Sequence, residues 1–156
     1  MTTIAWKDGV VAADTMGDHN GLKMPTTKIL VAKAFVLGGA GGAHDFYGYF
    51  DAMKDSSLKE VLENGYPVED QDEDIPAMIL VSRSDPSKAW FLAATAWLPI
   101  IRPYHAIGSG RDFAIAAMHL GKSAVEAVDI AMQFDVYTGG RIERVDAEHG
   151  LVEALQ

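Results

Sequence analysis

The chain of 156 residues is 49% hydrophobic and 22% charged, which is typical of one globular domain, residues 1–156. Its net charge of −9 at pH 7 disfavours nucleic acid and anionic membrane surfaces as partners, because phosphate contacts require clustered Lys and Arg. It contains no cysteine, which excludes disulfides, thiolate metal sites and a cysteine nucleophile. No apolar run approaches the about 20 residues that span a bilayer, and no secretory signal opens the sequence, so we expect a cytoplasmic protein.

The chain begins with two strand-like runs, Thr2 to Lys7 and Val10 to Asp14. Asp8-Gly9 between them is typical of a two-residue hairpin turn. The first strand therefore starts at the very N-terminus and pairs with the second. Because chain ends are usually frayed, a buried N-terminal strand needs a reason. Gly17 to Pro25 is predicted to be a loop.

Residues 28–65 are predicted to contain two strands followed by two helices. In chain order these are two strands within Lys28–Leu37, a glycine run over Gly38–Gly42, a helix over Ala43–Lys54, and a short helix through Leu62 that is capped by Ser56 or Ser57 and ended by Asn64-Gly65. The acidic run Glu69 to Asp74 is interpreted as a solvated loop, with a site for a metal or a basic partner as the alternative.

The second half has the same order of strands and helices. It is predicted to contain a hairpin of Ala77–Arg83 and Lys88–Ala94, a helix over Arg111–Leu120, a helix over Ser123–Phe134 that opens with a capping box, and a last strand near Arg141–Val145. Because strands and helices are grouped rather than alternating, a doubly wound sheet is disfavoured. The sequence predicts an α+β protein in which two helical layers enclose a mostly antiparallel double sheet.

The usual catalytic motifs are absent from the sequence, including the zinc-peptidase, nucleophile-elbow and phosphate-loop patterns. The histidines lack metal-ligand spacing, and the glycine run, read as a phosphate cradle, lacks the lysine that should follow it. We therefore expect no metal and no cofactor. What remains is Thr2, whose hydroxyl becomes a nucleophile when its own α-amino group, with an ordinary pKa of about 7.7–8.0, takes the proton. This chemistry requires the removal of Met1.

Five motifs, in one order from residue 2 to about residue 145, resemble the proteasome β-subunit family and the HslV-type peptidases. They are Thr2-Thr3-Ile4 with Ala12-Ala13-Asp14, Lys28 after a loop, Gly39-Ala40-Gly41-Gly42-Ala43-His44-Asp45, Gly108-Ser109-Gly110, and Asp135-Val136-Tyr137-Thr138-Gly139-Gly140. The resemblance implies the four-layer αββα sandwich of N-terminal-nucleophile hydrolases. We expect its first helical layer to be abbreviated, because the second helix there is short.

The resemblance also implies catalytic roles for the matching residues. Thr2 is expected to supply both the nucleophile and the base. Lys28 is expected to favour the deprotonated forms of Thr2 and Asp14 to hold Lys28, with a purely structural salt bridge as the alternative. The backbone N–H of Gly41 is expected to stabilise the oxyanion of the tetrahedral intermediate.

Further matching residues are expected to surround the nucleophile. Ser109, Asp135 and Thr138 match the cluster that positions the amine of the nucleophile, where the family commonly has serine in place of Thr138. Gly39, Ala40 and Gly41 are expected to bind substrate. Gly39 is expected to leave a wide specificity pocket, because a larger side chain there would shorten it.

The activity implied is that of a threonine-type endopeptidase that hydrolyses polypeptides through an acyl-enzyme on Thr2. A homo-oligomeric ring is expected, with stacking of rings and an ATPase unfoldase as open possibilities. As in the HslV-type peptidases, no removable propeptide is expected before Thr2. Two alternatives remain, a catalytically silent ring or scaffold subunit with the same fold and another amidase of the same superfamily.

Overall fold

The computed structural model describes residues 2–68 and 75–155, and these residues form twelve strands and four helices. In chain order they are β1 (Thr3–Lys7), β2 (Val10–Asp14), β3 (Met16–His19), β4 (Leu22–Pro25), β5 (Ile29–Val31), β6 (Phe35–Ala40), α1 (Ala43–Met53), α2 (Leu58–Asn64), β7 (Ala77–Ser82), β8 (Ala89–Ala93), β9 (Ala96–Pro99), β10 (Tyr104–Gly108), α3 (Arg111–His119), α4 (Ala124–Phe134), β11 (Ile142–Asp146) and β12 (Leu151–Leu155). Met1 and the acidic run predicted as a solvated loop, Glu69–Asp74, lie outside the described residues.

Two five-stranded antiparallel sheets form the centre of the molecule. Sheet I has the strand order β10-β1-β2-β11-β12, and sheet II has the order β5-β6-β7-β8-β9. The first strand is an interior strand of sheet I, where Ile4 lies opposite both Ala13 and Ile107. The start of the chain is therefore held between two neighbouring strands, as the predicted hairpin required.

Side chains alternate between the two faces of each sheet. On β1, Ile4 and Trp6 are buried against residues of sheet II such as Val36 and Ile79, while Ala5 is buried against α3 and α4. Three of the buried residues on the face of sheet I that meets these helices are Ala5, Ala12 and Ala106, and their small side chains allow the helices to approach closely. The sheets therefore share one apolar core, and α3 and α4 cover the other face of sheet I.

The first helix pair packs against sheet II. Helix α1 contacts β6, and α2 contacts β9. The core between them is rich in aromatic residues: Phe35, Phe46, Tyr49, Tyr66 and Trp97. The predicted α+β class is confirmed by this arrangement. Within residues 2–68 and 75–155, no helix has the length and apolar character needed to cross a membrane.

The helices begin and end close to their predicted positions because their local signals are explicit. The Ser57 side chain accepts a hydrogen bond from the backbone of Glu60 and so caps α2. Ser123 and Glu126 form the predicted capping box of α4. Helix α2 has seven residues and ends at Gly65, so the second helix of the first pair is short, as predicted.

The predicted loop at Gly17 to Pro25 is wrong, since β3 and β4 form a two-stranded hairpin there. Asn20 and Gly21 both have positive φ, 53° and 82°, which is the backbone of a tight two-residue turn. Few β-branched residues flank this turn, and for that reason the strand pattern is weak in the sequence.

The glycine run also differs from its prediction, because β6 continues through Gly38 and Gly39 to Ala40. A β-carbon at Gly38 would press on Ile4 and Ile79, so glycine permits the two sheets to approach each other at this point. Three further strands, β9, β10 and β12, were not predicted. Two of these three are edge strands of sheet I, and the sequence of β9 includes a proline.

Candidate active site

Thr2 lies immediately before β1 and is 2% exposed. Its backbone N–H donates a hydrogen bond to Ser109 Oγ at 3.1 Å. Ser109 follows β10 in the segment Gly108-Ser109-Gly110. A β-carbon at Gly108 would overlap the carbonyl of Thr2, and one at Gly110 would overlap the Thr3 hydroxyl. The two glycines therefore allow the Ser109 loop to lie against the start of the chain.

Asp135 lies at the end of α4 and holds the Ser109 hydroxyl in place. Its Oδ2 accepts hydrogen bonds from Ser109 Oγ at 2.6 Å and from Thr138 Oγ1 at 2.5 Å, and its Oδ1 accepts one from the backbone N–H of Tyr137 at 3.2 Å. Burial raises the pKa of Asp135, but these three hydrogen bonds outweigh burial and leave the pKa lowered. The carboxylate is therefore charged at neutral pH and orients Ser109 toward Thr2.

Lys28 and Asp14 form a buried ion pair, with Nζ 3.0 Å from Oδ1. Asp14 also accepts a hydrogen bond at 2.9 Å from the backbone N–H of Thr3 and one at 3.0 Å from that of Gly139. Burial lowers the pKa of Lys28, and the negative charges of Asp14 and Glu143 act against that effect. The pair thus fixes a lysine amine beside the start of β1, and its pKa is below the ordinary value of 10.5.

A cleft of about 710 Å³ joins the two sets of residues. Thr2 and Lys28 line it together with Gly39 and Gly41. Gly41 has a φ of 122°, which side-chain-bearing residues rarely adopt, so glycine is required there. Gly39 is backed by Phe46, and the ring of Phe46 lies where a β-carbon at position 39 would project.

The structure brings most of the predicted site residues to this cleft or to the network behind it. Thr2, Lys28, Gly39 and Gly41 line the cleft, while Asp14, Ser109, Asp135 and Thr138 hold its residues by the contacts given above. Ala40, predicted to bind substrate, is 8% exposed and is absent from the described residues that line the cleft. Its role stays a prediction.

Some residues of the site were not predicted from the sequence. The Thr3 hydroxyl lies 2.8 Å from the Thr138 hydroxyl and so ties β1 to the Asp135 cluster. The β3–β4 hairpin supplies one wall of the cleft, with Met16 and Lys23. Asn20-Gly21, a strong turn signal between short polar and apolar runs, is the pattern that would have predicted this wall.

Helix α1 supplies another part of the lining through Phe46 and Tyr47. The Tyr47 hydroxyl donates a hydrogen bond to the backbone carbonyl of Thr27 at 2.6 Å and so links the helix to the segment before β5. Across the described ranges of the chain, no cluster of three or more His, Asp or Glu residues is arranged to hold a metal ion.

Comparison with known proteins finds solved structures with a similar fold. No known family model matches the sequence, and no curated protein matches it. Two solved structures of BPH from Thiobacillus denitrificans are similar to the chain. One is BPH in complex with epoxomicin, with a TM-score of 0.66, 19% sequence identity and coverage of 99% of this chain and 98% of that chain. The other is of BPH, with a TM-score of 0.63, 20% identity and the same coverage.

The chain is therefore an α+β protein that is similar in fold to BPH over 99% of its length. At 19–20% identity this similarity establishes the fold alone.

Proposed function

We propose that this chain is a threonine-type endopeptidase that hydrolyses polypeptides through an acyl-enzyme on Thr2 after Met1 has been removed. The observation that carries the proposal is the chain of contacts from the Thr2 nitrogen to Ser109 Oγ at 3.1 Å and from Ser109 to Asp135 at 2.6 Å. In a chain that begins at Thr2, that nitrogen is the α-amine. A free amine held by Ser109 keeps one lone pair for a proton, which is what a general base needs.

The proposed reaction starts with attack of Thr2 Oγ on a peptide carbonyl as the Thr2 amine accepts the hydroxyl proton. The tetrahedral oxyanion is stabilised by a backbone N–H, for which we assign Gly41. Collapse of the intermediate breaks the peptide C–N bond, and the proton passes to the departing amine. Water then attacks the ester, which releases the acid product and restores Thr2.

Lys28 supports this reaction electrostatically. A positive charge near the Thr2 amine and hydroxyl favours their deprotonated forms, and Asp14 fixes the position of that charge. Three donors converge on Asp14, namely Lys28 Nζ and the backbone N–H groups of Thr3 and Gly139. The same carboxylate therefore orders the lysine and the first strand together, which supports a positioning role for Asp14.

We also assign the fold to the N-terminal-nucleophile type. The arrangement of α3 and α4 on sheet I, and of α1 and α2 on sheet II, supports a four-layer αββα sandwich whose first helical layer is abbreviated at α2. In keeping with the resemblance, we propose that the chain works as a homo-oligomeric ring.

Intact-mass spectrometry tests the proposal directly. BPH has been solved in complex with epoxomicin, and we propose that this chain binds the same compound at Thr2. We expect the mass of the chain to lack Met1 and to rise by one epoxomicin after incubation. Peptide mapping should place the adduct on Thr2, and fluorogenic peptides should be cleaved.

Two variants make this test specific. Thr2→Ala should abolish both the adduct and the cleavage, whereas Thr95→Ala, an exposed threonine in the turn after β8, should leave both unchanged. If Met1 is retained in cells and Thr2→Ala leaves peptide cleavage unaltered, the alternative of a catalytically silent scaffold subunit should be adopted.

A further inference from the structure

Glu143 is a carboxylate on an apolar face of sheet I. On β11 it lies opposite Ala13 of β2, and its neighbour on the same face, Val145, belongs to the core between the two sheets. Side chains on alternate positions of a strand share a face, so Glu143 projects toward the space between the sheets. An apolar residue would be the ordinary choice for this position.

The two carboxylate oxygens of Glu143 have different surroundings. Oε1 accepts a hydrogen bond from Thr27 Oγ1 at 3.2 Å. Oε2 is buried and has no hydrogen-bond partner in the described part of the chain. A buried carboxylate oxygen without a partner is costly, so its presence requires a reason other than packing.

Thr27 places Glu143 next to the candidate active site. Thr27 lines the cleft that contains Thr2, and it also lines a second cleft of about 880 Å³ that contains Glu143. Lys28, the next residue, projects from the same segment before β5 and is paired with Asp14. The Glu143 carboxylate thus contacts Thr27, the residue that precedes Lys28 in the chain.

The charges of Glu143 and Lys28 act on each other. Burial raises the pKa of Glu143, while the Thr27 hydrogen bond and the charge of Lys28 oppose that rise. In return, the charge of Glu143 adds to that of Asp14 in opposing the effect of burial on the pKa of Lys28. The charge of Glu143 also acts on Tyr47 of α1, and three ionisable residues line the second cleft with Glu143: Lys23 of β4, Asp135 and Arg141.

We propose that Glu143 is a positioning residue of the candidate active site, a second carboxylate that acts together with Asp14 to keep the buried Lys28 amine charged. This inference depends on the proposed function, because the role of Glu143 is exerted through Lys28 of the proposed site. A lysine buried with one carboxylate loses its proton more readily than a lysine buried with two. Glu143 therefore extends the pH range over which the site holds a positive charge beside Thr2.

Glu143→Gln tests the inference, because it removes the charge and keeps an oxygen that accepts from Thr27. Titration of the full chain labelled with ¹³C-lysine follows the Lys28 signal, which Lys28→Arg identifies. We expect Glu143→Gln to lower the midpoint of Lys28 by about half a unit to one unit. The alkaline limb of the pH profile for fluorogenic peptide cleavage should shift to lower pH by the same amount. Glu148→Gln, an exposed residue, is the matched control and should change neither value.

The outcomes separate the inference from the proposed function. An unchanged Lys28 midpoint in a folded Glu143→Gln protein overturns the role of Glu143, whether or not the wild type cleaves peptides. A lowered midpoint with an unchanged alkaline limb also overturns it, since the charge would then have no effect on the site. If Glu143→Gln lowers the Lys28 midpoint but the wild type cleaves no peptide, the coupling of the two residues is supported and the proposed function is contradicted.

Discussion

The aromatic ring of Phe46 lies directly over Gly39, in the space that a side chain at position 39 would fill. Phe46 is 4% exposed and belongs to the aromatic core between α1 and sheet II. The resemblance to the proteasome β-subunit family implies that glycine at this position leaves a wide specificity pocket. In the structure, much of the space next to Gly39 is taken by a phenylalanine of the following helix, and both residues line the cleft.

Gly39→Ala should destabilise the protein by about 1–3 kcal/mol, because the new methyl group overlaps a buried ring that must move. Thermal unfolding measures the change. In a Phe46→Ala background the same substitution should cost much less, and the difference is the coupling between the two residues. Gly48→Ala is the control: this α1 glycine has open space around it, so the alanine should be neutral or slightly stabilising. Equal costs in both backgrounds would contradict the proposed contact.

Lys28→Met should destabilise the protein by about 3–5 kcal/mol, since it leaves Asp14 buried without its ionic partner. We also expect epoxomicin labelling of Thr2 to be lost, because the positive charge beside the proposed nucleophile is gone. In the wild type, burial lowers the pKa of Lys28. As the pH is raised, labelling should therefore begin to decline before pH 10.5 is reached. Lys59→Met, which removes an exposed lysine of α2, is the control and should alter neither stability nor labelling appreciably. Full labelling of a folded Lys28→Met protein would remove Lys28 from the proposed mechanism.

Thr138→Ser should be close to the wild type, because serine keeps the hydroxyl that donates to Asp135 at 2.5 Å. Thr138→Val keeps the shape and removes the donor. It should cost about 1–3 kcal/mol, because the Asp135 carboxylate loses a charge-assisted hydrogen bond and the Thr3 hydroxyl loses a neighbour at 2.8 Å. The rate of epoxomicin labelling should follow the same order. If the serine and valine variants label Thr2 at equal rates, the hydroxyl has no part in positioning the amine.

Several elements could be predicted from the sequence because their signals are local. The turn at Asp8-Gly9, the cap at Ser57 and the capping box at Ser123 each depend on residues within four positions of one another. The hairpin β3–β4 and the strand β12 were missed although each pairs with its neighbour in the chain, because most of their residues are exposed and show no alternation of buried and exposed positions.

The candidate site shows the same division. Thr2, Lys28 and Asp135 were identified through resemblance to a family, and the structure places them within one network. No pattern in the sequence indicates that Phe46 would cover Gly39 or that Glu143 would face the space between the sheets. Both contacts depend on how the strands and helices pack against one another, and tertiary packing alone determines this.

His105 should make the fold sensitive to mild acid. Its ring lies 5.5 Å from that of Phe91, and its Nδ1 lies 3.0 Å from Arg102 Nη2. Burial, with a further effect from the charge of Arg102, lowers the pKa of His105 from 6.5 to about 4. The folded state therefore binds fewer protons than the unfolded state between these values, so stability is fully present above pH 6.5 and is lost as the pH falls toward 4. Because the ring is partly exposed, we expect the loss to be about 1–2 kcal/mol.

His105→Phe should remove this contribution, because phenylalanine fills the site next to Phe91 without taking up a proton. Unfolding by denaturant at pH 7 and at pH 4.5 measures the difference between the free energies of unfolding. That difference should shrink in His105→Phe by about 1 kcal/mol and stay unchanged in His19→Gln, which removes an exposed histidine of β3. An equal loss of stability in His105→Phe and in the wild type would show that other groups cause the acid sensitivity, since phenylalanine at position 105 takes up no proton.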